Sequence, residues 1–455
     1  MNIHSINPVN GQIIKSYQTH TAQEVDDIIN KTDQAWQRWK ETAFSLRSKH
    51  LLAAAVILRS RKDELAKLMA LEMGKPLAGG RAEIEKCADV CDYYAENGEE
   101  FLKDDWIKTE AQKSYVSFQP LGSILAIMPW NFPFWQVFRF LAPTLMAGNA
   151  GLLKHASNVF GCALEIEKII HEAGFPENLF RTLLIPGDEV HQVIENPKVQ
   201  AISLTGSTNA GKKVAAKAAS VLKKSVLELG GSDAYLILAD ANLELAAESC
   251  VNSRLINSGQ SCIAAKRFIV VKEIEAEFTE LFKQKMAAKI MGDPFDEKSD
   301  IGPQARPDLR DELHKQVLQS IKMGAKCILG GEIPKSTYAF YPATILTEVK
   351  KGMPAYDEEL FGPVAAIIRA KDEADAIAIA NDSVFGLGAA VFTNDIKRGE
   401  KIASEHLNAG SCFVNAFVKS DVRLPFGGIK QSGFGRELGL YGIREFVNAK
   451  TVYIH

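Results

Sequence analysis

Short apolar segments alternate with helical stretches over most of this chain, and no other property of the sequence narrows the possible folds as much. From residue 114 onward, a first set of apolar runs covers residues 122–128, 150–154, 182–186 and 201–205. A second set covers residues 234–238, 267–271, 327–329, 364–369, 389–392 and 412–415. Alternation of this kind is typical of βαβ units around a parallel sheet. The sequence therefore predicts an α/β fold with two successive sets of such units.

The N-terminal part differs from the rest, because its patterns are helical. Helices are predicted over about residues 21–42, 48–72 and 80–101. The first of them begins with Thr21 and Glu24, a hydroxyl and a carboxylate three residues apart that form a capping box. No residue pattern in this part of the chain suggests chemistry.

Length and composition exclude several classes of protein. A chain of 455 residues is too long for one hydrophobic core, so two or three domains are expected. A charged share of 24% and a net charge of -3 fit an ordinary enzyme and give no basic excess for nucleic acid. No apolar run approaches the ~18 residues that span a bilayer, and the N-terminus lacks a targeting pattern. Seven cysteines without regular spacing indicate free thiols rather than a metal site, so we expect a cytoplasmic protein.

Three short segments carry residue types that suit covalent catalysis. Cys262 ends the motif NSGQSC, where a turn of small polar residues would hold its sulfur at a cleft as a nucleophile. Glu228 lies in the motif LELGG, where an apolar setting suits a base. Asn131 lies in the motif PWNFP, and its amide could donate to a developing oxyanion.

Each of these residues also has a plainer explanation when it is taken alone. A cysteine is usually a small buried apolar residue, a glutamate usually a surface or paired carboxylate, and an asparagine beside proline usually a turn residue. A cysteine hydrolase is a further alternative, but it would need a histidine partner for Cys262. None of the nine histidines lies in a recognisable partner motif.

Together and in this order, the three segments resemble the aldehyde dehydrogenase superfamily, and the resemblance extends over essentially the whole chain. It implies a Rossmann-type parallel-sheet cofactor domain, an α/β catalytic domain and a small β extension for oligomerisation. The expected boundaries are 1–101 and 120–230 for the nucleotide-binding domain, 231–430 for the catalytic domain, and 102–119 and 431–455 for the extension. A bare sheet edge in that extension would favour pairing with another subunit, which predicts a homodimer or homotetramer.

The resemblance also implies a cofactor site. Its expected residues are Trp130, Lys154, Ser157, Gly206, Ser207, Gly211, Glu359 and Phe361. The segment around Gly206 follows a strand and leads into a helix that should begin near Gly211, although the three-glycine dinucleotide fingerprint is absent. Relatives that prefer NAD commonly carry a glutamate where this chain has Ser157, so repulsion of a 2′-phosphate is missing here. We therefore expect NAD and/or NADP as cofactor.

The activity that the resemblance implies is oxidation of an aldehyde to its acid. Cys262 would attack the aldehyde, the Asn131 amide and the Cys262 backbone N–H would bind the oxyanion, and Glu228 would activate the water that releases the acid. Dehydrogenases that acylate coenzyme A tend to lack that glutamate, so they are a less favoured alternative. A catalytically silent protein on this fold would be expected to lack one of the three residues.

The substrate prediction depends on Arg139 and Ser420, which lie where succinate-semialdehyde dehydrogenases bind the far carboxylate. A surface ion pair on a helix is the plainer explanation for Arg139. Some of these enzymes carry a second arginine where this chain has Ile256, and Arg423 is a candidate to replace it. The chain looks most like the short bacterial branch of that group. A broad-specificity dehydrogenase for aliphatic or other semialdehydes is the alternative.

Overall fold

The computed structural model describes residues 2–335 and 337–455. The strands are, in chain order, β1 Asn2–Ile6, β2 Ile13–Gln18, β3 Asp105–Trp106, β4 Lys113–Pro120, β5 Ser123–Met128, β6 Ala150–His155, β7 Phe180–Thr182, β8 Val199–Thr205, β9 Lys224–Glu228, β10 Ala234–Ile237, β11 Arg267–Val271, β12 Lys326–Leu329, β13 Thr344–Thr347, β14 Val364–Ala370, β15 Gly388–Phe392, β16 Ser411–Val414, β17 Gly433–Phe434 and β18 Val447–Ile454. The α-helices are α1 Ala22–Trp39, α2 Phe44–Ser60, α3 Lys62–Met73, α4 Leu77–Phe101, α5 Trp135–Met146, α6 Phe160–Glu172, α7 Val190–Glu195, α8 Thr208–Ser220, α9 Leu243–Leu255, α10 Glu275–Ala287, α11 Pro307–Lys322, α12 Pro354–Asp357, α13 Glu373–Asn381, α14 Ile396–Lys401 and α15 Gly439–Ile443.

The first large sheet has the strand order β17-β9-β8-β5-β6-β7, and all of its strands except β17 run parallel. The chain starts at β5, moves outward through β6 to β7, and returns to β8 on the other side of β5. The order therefore reverses between β5 and β8. In open α/β sheets, a crevice for ligands forms at such a reversal, beyond the carboxyl ends of the strands.

The second large sheet has the order β12-β13-β14-β11-β10-β15-β16, with β12 as its antiparallel edge strand. Its central strands β10 and β11 are completely buried and rich in β-branched and aromatic residues, as expected for a parallel sheet covered on both faces. Separate apolar clusters cover its two faces. Together the two sheets confirm the α/β class and the parallel-sheet arrangement that the alternating pattern predicts.

A third sheet is small and antiparallel, with the order β18-β4-β3. Strand β18 pairs with β4 along its whole length, from Val447 opposite Pro120 to Ile454 opposite Lys113. Its strands come from the two segments predicted for the β extension. The short strand β17 differs, because it lies within the predicted 431–455 segment yet pairs with β9 in the first sheet.

The N-terminal segments predicted to be helical are helical in the structure, but the predicted helix boundaries differ from the observed ones. The Thr21 capping box is confirmed, since Glu24 N donates to Thr21 Oγ1 at 3.3 Å and Thr21 N donates to Glu24 Oε2 at 2.7 Å. The helix predicted over 48–72 is wrong as a single helix, because the chain breaks at Arg61 between α2 and α3. Arg61 is at the break, and its guanidinium forms an ion pair with Glu165 of α6 at 2.6 Å.

Several strands, among them β1, β2, β9 and β13, are missing from the predicted apolar runs. Strands β1 and β2 form a hairpin whose residues are mostly exposed, so its sequence shows no apolar run. Strand β13 is only four residues long. The strand predicted over 182–186 is displaced, since β7 ends at Thr182.

The helices α2, α4 and α5 pack against one another and against the first sheet around the largest apolar cluster. Cys87 and Cys91 of α4 are both fully buried in it. In the described part of the chain, no helix is long and apolar enough to cross a membrane.

Candidate active site

Two cavities meet at Cys262, which lines both of them. The larger, of about 480 Å³, lies between α4 and α5, and we call it the helix cavity. The smaller, of about 290 Å³, lies beyond the carboxyl ends of β5, β8 and β9, and we call it the sheet-edge cavity. The thiol can therefore meet one molecule from each side.

A strained turn precedes Cys262. Three successive residues have left-handed backbone, with φ of 52° at Asn257, 57° at Ser258 and 77° at Gly259. A Cβ atom on Gly259 would lie 2.2 Å from the carbonyl carbon and oxygen of Gly362, so only glycine fits there. Such backbone is unfavourable for ordinary residues and persists where the surrounding structure enforces it, often at active sites.

Hydrogen bonds tie this turn to the Asn131 segment. Asn257 Nδ2 donates to the Asn131 carbonyl oxygen at 2.6 Å, and Asn131 Nδ2 donates to the Gln260 carbonyl oxygen at 3.0 Å. Asn131 is buried, and like Cys262 it lines the sheet-edge cavity. The structure thus brings an amide donor and the thiol to one wall, which is the arrangement that stabilises an oxyanion on an attacked carbonyl.

Burial keeps the Cys262 thiol protonated at neutral pH. It raises the pKa of Cys262 to about 12, against the opposing effect of the cations Lys266 and Arg139. Lys266 Nζ donates to the Cys262 carbonyl oxygen at 2.6 Å and pairs with Glu359 at 3.5 Å. Because a cysteine attacks as its thiolate, Cys262 would have to lose its proton to act as a nucleophile.

Glu228 ends β9 and is buried, and neither of its carboxylate oxygens has a hydrogen-bond partner within the part of the chain that the structure describes. Burial raises its pKa, and the neighbouring carboxylate of Glu437 raises it further, against the opposing charge of Arg139. Its Oε1 lies against Gly427, where a Cβ would approach it to 2.7 Å. In this conformation Glu228 is not among the residues that line the two cavities. A carboxyl group with a raised pKa holds its proton to higher pH than usual and is a stronger base once it is ionised.

Arg139 lines the helix cavity, but its charge is already compensated. Its guanidinium forms an ion pair with the buried carboxylate of Glu437, and Nη2 donates to Thr205 Oγ1 at 3.2 Å. The guanidinium also lies 4.9 Å from the centre of the Phe426 ring, and the side chain is only 2% exposed. The predicted contact of Arg139 with a distal carboxylate therefore has to compete with Glu437.

The structure also corrects the idea that Arg423 replaces a second arginine. Arg423 is exposed and pairs with Asp421 at 2.7 Å, outside the residues that line the helix cavity. Arg254 is fully buried and donates to the Gly259 carbonyl oxygen at 2.6 Å, so it supports the turn before Cys262. Ile256 lines the cavity as an apolar residue.

Ser420 lines the helix cavity as expected, and it has a neighbour that sequence reasoning missed. Lys86 of α4 donates from Nζ to Ser420 Oγ at 2.6 Å and lies 4.2 Å from the centre of the Trp135 ring. Burial and the Arg139 charge lower the pKa of Lys86 to about 8. Lys86 lies in a helix without any motif, and only its spacing from Gly79 and Ala82 on the same helix face could have indicated a shared wall.

The buried carboxylate of Glu83 links α4 to the start of α5. Lys75 pairs with Glu83 of α4, and both side chains are 1% exposed. Glu83 Oε1 accepts hydrogen bonds from the backbone N–H groups of Phe134 and Trp135, each at 2.9 Å. A carboxylate of α4 thus caps the amino end of α5, next to the segment that carries Asn131.

The sheet-edge cavity gathers most of the predicted cofactor residues. Five of them line it, namely Trp130, Gly206, Ser207, Glu359 and Phe361. The Trp130 and Phe361 rings contact edge to face at 5.8 Å. Glu359 Oε1 accepts a hydrogen bond from Gly231 N at 3.0 Å. These residues offer rings and a fixed carboxylate to a nucleotide at the strand reversal.

The helix after Gly206 begins earlier than expected. It starts at Thr208, where the Ser207 hydroxyl caps it by accepting from Ala210 N at 3.3 Å. A Cβ on Gly206 would meet no atom closer than 3.7 Å, so the backbone there is open to a ligand. Gly211 instead lies against Leu229, at 2.5 Å from a Cβ, which gives it a packing role rather than a place in the cavity wall.

Lys154 and Ser157 follow at the carboxyl end of β6, one strand away from the Trp130 segment. Lys154 is buried, its pKa is lowered by that burial, and no carboxylate of the described residues lies within 4.0 Å of its Nζ. Asp188 is the charged group that opposes this shift. A buried cation without an ion pair among the described residues, at the carboxyl end of a parallel strand, fits the ribose and phosphates of a dinucleotide.

Comparison with known proteins agrees with this geometry. The aldehyde dehydrogenase family model matches residues 1–452. The chain is 48% identical to a probable succinate-semialdehyde dehydrogenase [NADP(+)] of Synechocystis sp., with both chains covered completely. It is 45% identical to the succinate semialdehyde dehydrogenase [NAD(P)+] Sad of Escherichia coli, covering 99% of this chain and 97% of that protein.

The fold of a solved structure is also similar to that of this chain. The succinic semialdehyde dehydrogenase of Streptococcus pyogenes, in complex with NADP+, superposes with a TM-score of 0.97 at 35% identity, and each chain is covered to 99%. The family match spans nearly the whole chain, and both sequence relatives exceed 40% identity over their full lengths. The chain therefore belongs to the aldehyde dehydrogenase family.

Proposed function

We propose that this protein oxidises succinic semialdehyde to succinate and reduces NADP or NAD. The observation that carries the proposal is the helix cavity, which ends at the Cys262 thiol and holds the Lys86 ammonium and the Ser420 hydroxyl in its wall. A four-carbon aldehyde with a distal carboxylate matches this pairing of a nucleophile with a separate cationic group. The names of the Synechocystis and Escherichia coli relatives support the same substrate.

The first half of the reaction forms a bond between sulfur and carbon. Cys262 gives its proton to solvent and attacks the aldehyde carbon, so a sulfur–carbon bond forms, the carbonyl π bond breaks and the carbonyl oxygen becomes an oxyanion. The Asn131 amide and the Cys262 backbone N–H donate to that oxygen, and loss of one such donor typically costs ~3 kcal/mol of transition-state stabilisation. Trp130, Glu359 and Phe361 of the sheet-edge cavity would hold NADP or NAD, which would supply the hydride acceptor for that carbon, so that Cys262 would carry the acyl group as a thioester.

The second half of the reaction breaks the thioester with water. Glu228 takes a proton from the water as it attacks, the carbon–sulfur bond breaks, and Cys262 is regenerated as the acid leaves. The raised pKa and the unpaired oxygens of Glu228 suit a group that accepts and returns a proton. Transfer of the acyl group to coenzyme A is less favoured, because it would not require this carboxylate.

The cofactor site suits a 2′-phosphate. Ser157 follows β6 where NAD-preferring relatives commonly carry a glutamate, so no carboxylate at that position repels the phosphate. The unpaired cation of Lys154 lies three residues before it. We propose roles in cofactor binding for these two residues together with Trp130, Gly206, Ser207, Glu359 and Phe361.

Oxidation of simple aliphatic aldehydes is the second candidate function. The aromatic part of the cavity wall favours it, since an aldehyde that carries no carboxylate can make apolar contacts with Phe132, Trp135, Phe417 and Phe426. Both functions share the chemistry at Cys262, and they differ only in what the far end of the substrate contacts.

We also propose a homo-oligomer of cytoplasmic subunits, each with the three domains expected from the sequence. The apolar side chains Trp106, Tyr453 and Ile454 of the third sheet are 63%, 49% and 41% exposed, which supports an interface there. All seven cysteines are free thiols, which fits a reducing compartment.

The test compares two aldehydes of the same carbon count. Reduced nicotinamide is measured with purified protein, using succinic semialdehyde or butanal, each with NADP and with NAD. We expect kcat/KM at least ~100-fold higher for the semialdehyde, as a buried carboxylate contact implies. Equal values for the two aldehydes would support the second candidate, and an absence of reduction with both would contradict the proposed activity.

A further inference from the structure

Lys86 is a half-buried cationic group of the helix cavity that has no carboxylate partner among the described residues. Lys298 and Lys419 line the same cavity, also without an ion pair to a described residue, but both are exposed to solvent. No carboxylate oxygen of the described residues lies within 4.0 Å of the Lys86 Nζ. Arg139, in the same wall, is paired with Glu437, and Lys75 is paired with Glu83. A half-buried ammonium without a counterion is an incomplete arrangement in a protein interior, and an anionic ligand would complete it.

The surroundings of Lys86 leave room for such a ligand. Of its three N–H donors, one goes to the Ser420 hydroxyl oxygen, and the Trp135 ring covers one side of the charge. Since Ser420 accepts that hydrogen bond, its own O–H hydrogen is left to donate. Two adjacent donor groups therefore face the same cavity, which is the number that a carboxylate needs for its two oxygens.

The position of Lys86 on α4 also sets the length of the substrate. Gly79, Ala82 and Lys86 line the cavity from one face of this helix, and Cys262 lies at the junction with the other cavity. Small side chains on the first two positions leave open space, while the lysine supplies the charge. A substrate must therefore extend from the thiol to the Lys86 ammonium to gain the contact.

Resting on the proposed function, we propose that Lys86, together with the Ser420 hydroxyl, is the specificity-determining residue that binds the distal carboxylate of the aldehyde substrate. Arg139 then acts mainly through its ion pair with Glu437 and its charge near Cys262, for every aldehyde alike. Recognition of the carboxylate and stabilisation of the catalytic centre are thus assigned to two different cations.

The test uses three variants and two aldehydes. Lys86→Met keeps the length of the side chain and removes its charge, Lys86→Arg keeps the charge, and Lys298→Met removes an exposed lysine that lines the same cavity. We expect Lys86→Met to lower kcat/KM for succinic semialdehyde by ~30-fold or more, chiefly through KM, and to change butanal oxidation less than twofold. Lys86→Arg should retain most of the discrimination, and Lys298→Met all of it.

A binding measurement separates recognition from chemistry. Succinate is used as a competitive inhibitor of butanal oxidation, with butyramide as the uncharged comparison, and each variant is checked by its melting temperature. Succinate should inhibit the wild type and Lys86→Arg far better than Lys86→Met. If Lys86→Met keeps the discrimination between the two aldehydes, Lys86 is not the carboxylate-binding residue and the proposed function stands. If the wild type itself does not discriminate, the proposed function fails, and this inference fails with it.

Discussion

Arg139 and Lys86 of the helix cavity and Lys266 beside Cys262 differ in what balances their charge, and this difference organises the site at the scale of single residues. Arg139 forms an ion pair with Glu437. Lys266 forms an ion pair with Glu359 and donates a hydrogen bond to the Cys262 carbonyl oxygen. The Lys86 ammonium contacts a hydroxyl and an aromatic ring, and no carboxylate of residues 2–335 and 337–455 lies within 4.0 Å of it. Fixed ion pairs hold a geometry, whereas an unpaired cation can bind an anion that comes and goes.

The pH dependence of substrate discrimination follows from Lys86. Burial and Arg139 lower the pKa of Lys86 to about 8, while Cys87, Glu83 and Asp421 oppose the shift. The ammonium form binds the carboxylate, so the contact is present below pH 8 and is lost as the pH rises through that value. We expect the ratio of kcat/KM for succinic semialdehyde over butanal to be constant below pH 7 and to fall up to ~10-fold per pH unit above 8.

The ratio is the right measurement because ionisation of Cys262 affects both aldehydes equally and cancels. In Lys86→Arg the ratio should stay flat over the same range, because an arginine keeps its charge. A flat ratio in the wild type would contradict the assignment.

At the scale of elements, the apolar alternation predicts most of the two large sheets, because buried parallel strands are almost wholly apolar. The hairpin β1–β2 could not be found in this way, since its side chains are mostly exposed. Cys262, Glu228 and Asn131 stand in sequence motifs and could be selected without coordinates. The pairing of Arg139 with Glu437 could not be predicted from the sequence, because only the fold brings α5 and the segment after β17 together.

The turn before Cys262 makes a prediction at this scale. Gly259→Ala forces a Cβ against the Gly362 carbonyl and displaces the nucleophile, so kcat should fall by ~100-fold with either aldehyde. Gly352→Ala is the matched control, because Gly352 also has a positive φ, 93°, but no atom lies within 4 Å of its added Cβ. That variant should lose some stability and keep its kcat. Equal kcat values for the two variants would show that the position of the turn does not control the chemistry.

At the scale of the whole molecule, each large sheet would contribute one side of the proposed reaction. The first sheet supplies Glu228 and the nucleotide-binding edge, while Cys262 comes from the loop between α9 and β11 of the second sheet. Asn131 follows β5 and reaches the Cys262 loop through its hydrogen bond to Gln260. Catalysis therefore depends on how the two sheets are held against each other.

The third sheet makes a prediction about assembly. Trp106→Glu combined with Ile454→Glu places charge on its exposed apolar side chains and should shift a dimer or tetramer toward monomer. Leu222→Glu is the control, since Leu222 is 96% exposed and lies before β9 in another sheet. Sedimentation velocity measures the outcome. An unchanged mass distribution in the double variant would exclude this sheet as the interface.

The hydrogen bonds from Phe134 and Trp135 to Glu83 have a consequence for how this enzyme can evolve. Because α4 caps α5, a shift of α4 would move the oxyanion donor with it, and the backbone of the cavity cannot be widened without harming the chemistry. Selection for longer or shorter aldehydes is then confined to side chains on the exposed face of the same helix. Gly79 and Ala82 are the positions where a single larger residue would shorten the accepted chain while the catalytic geometry stays fixed.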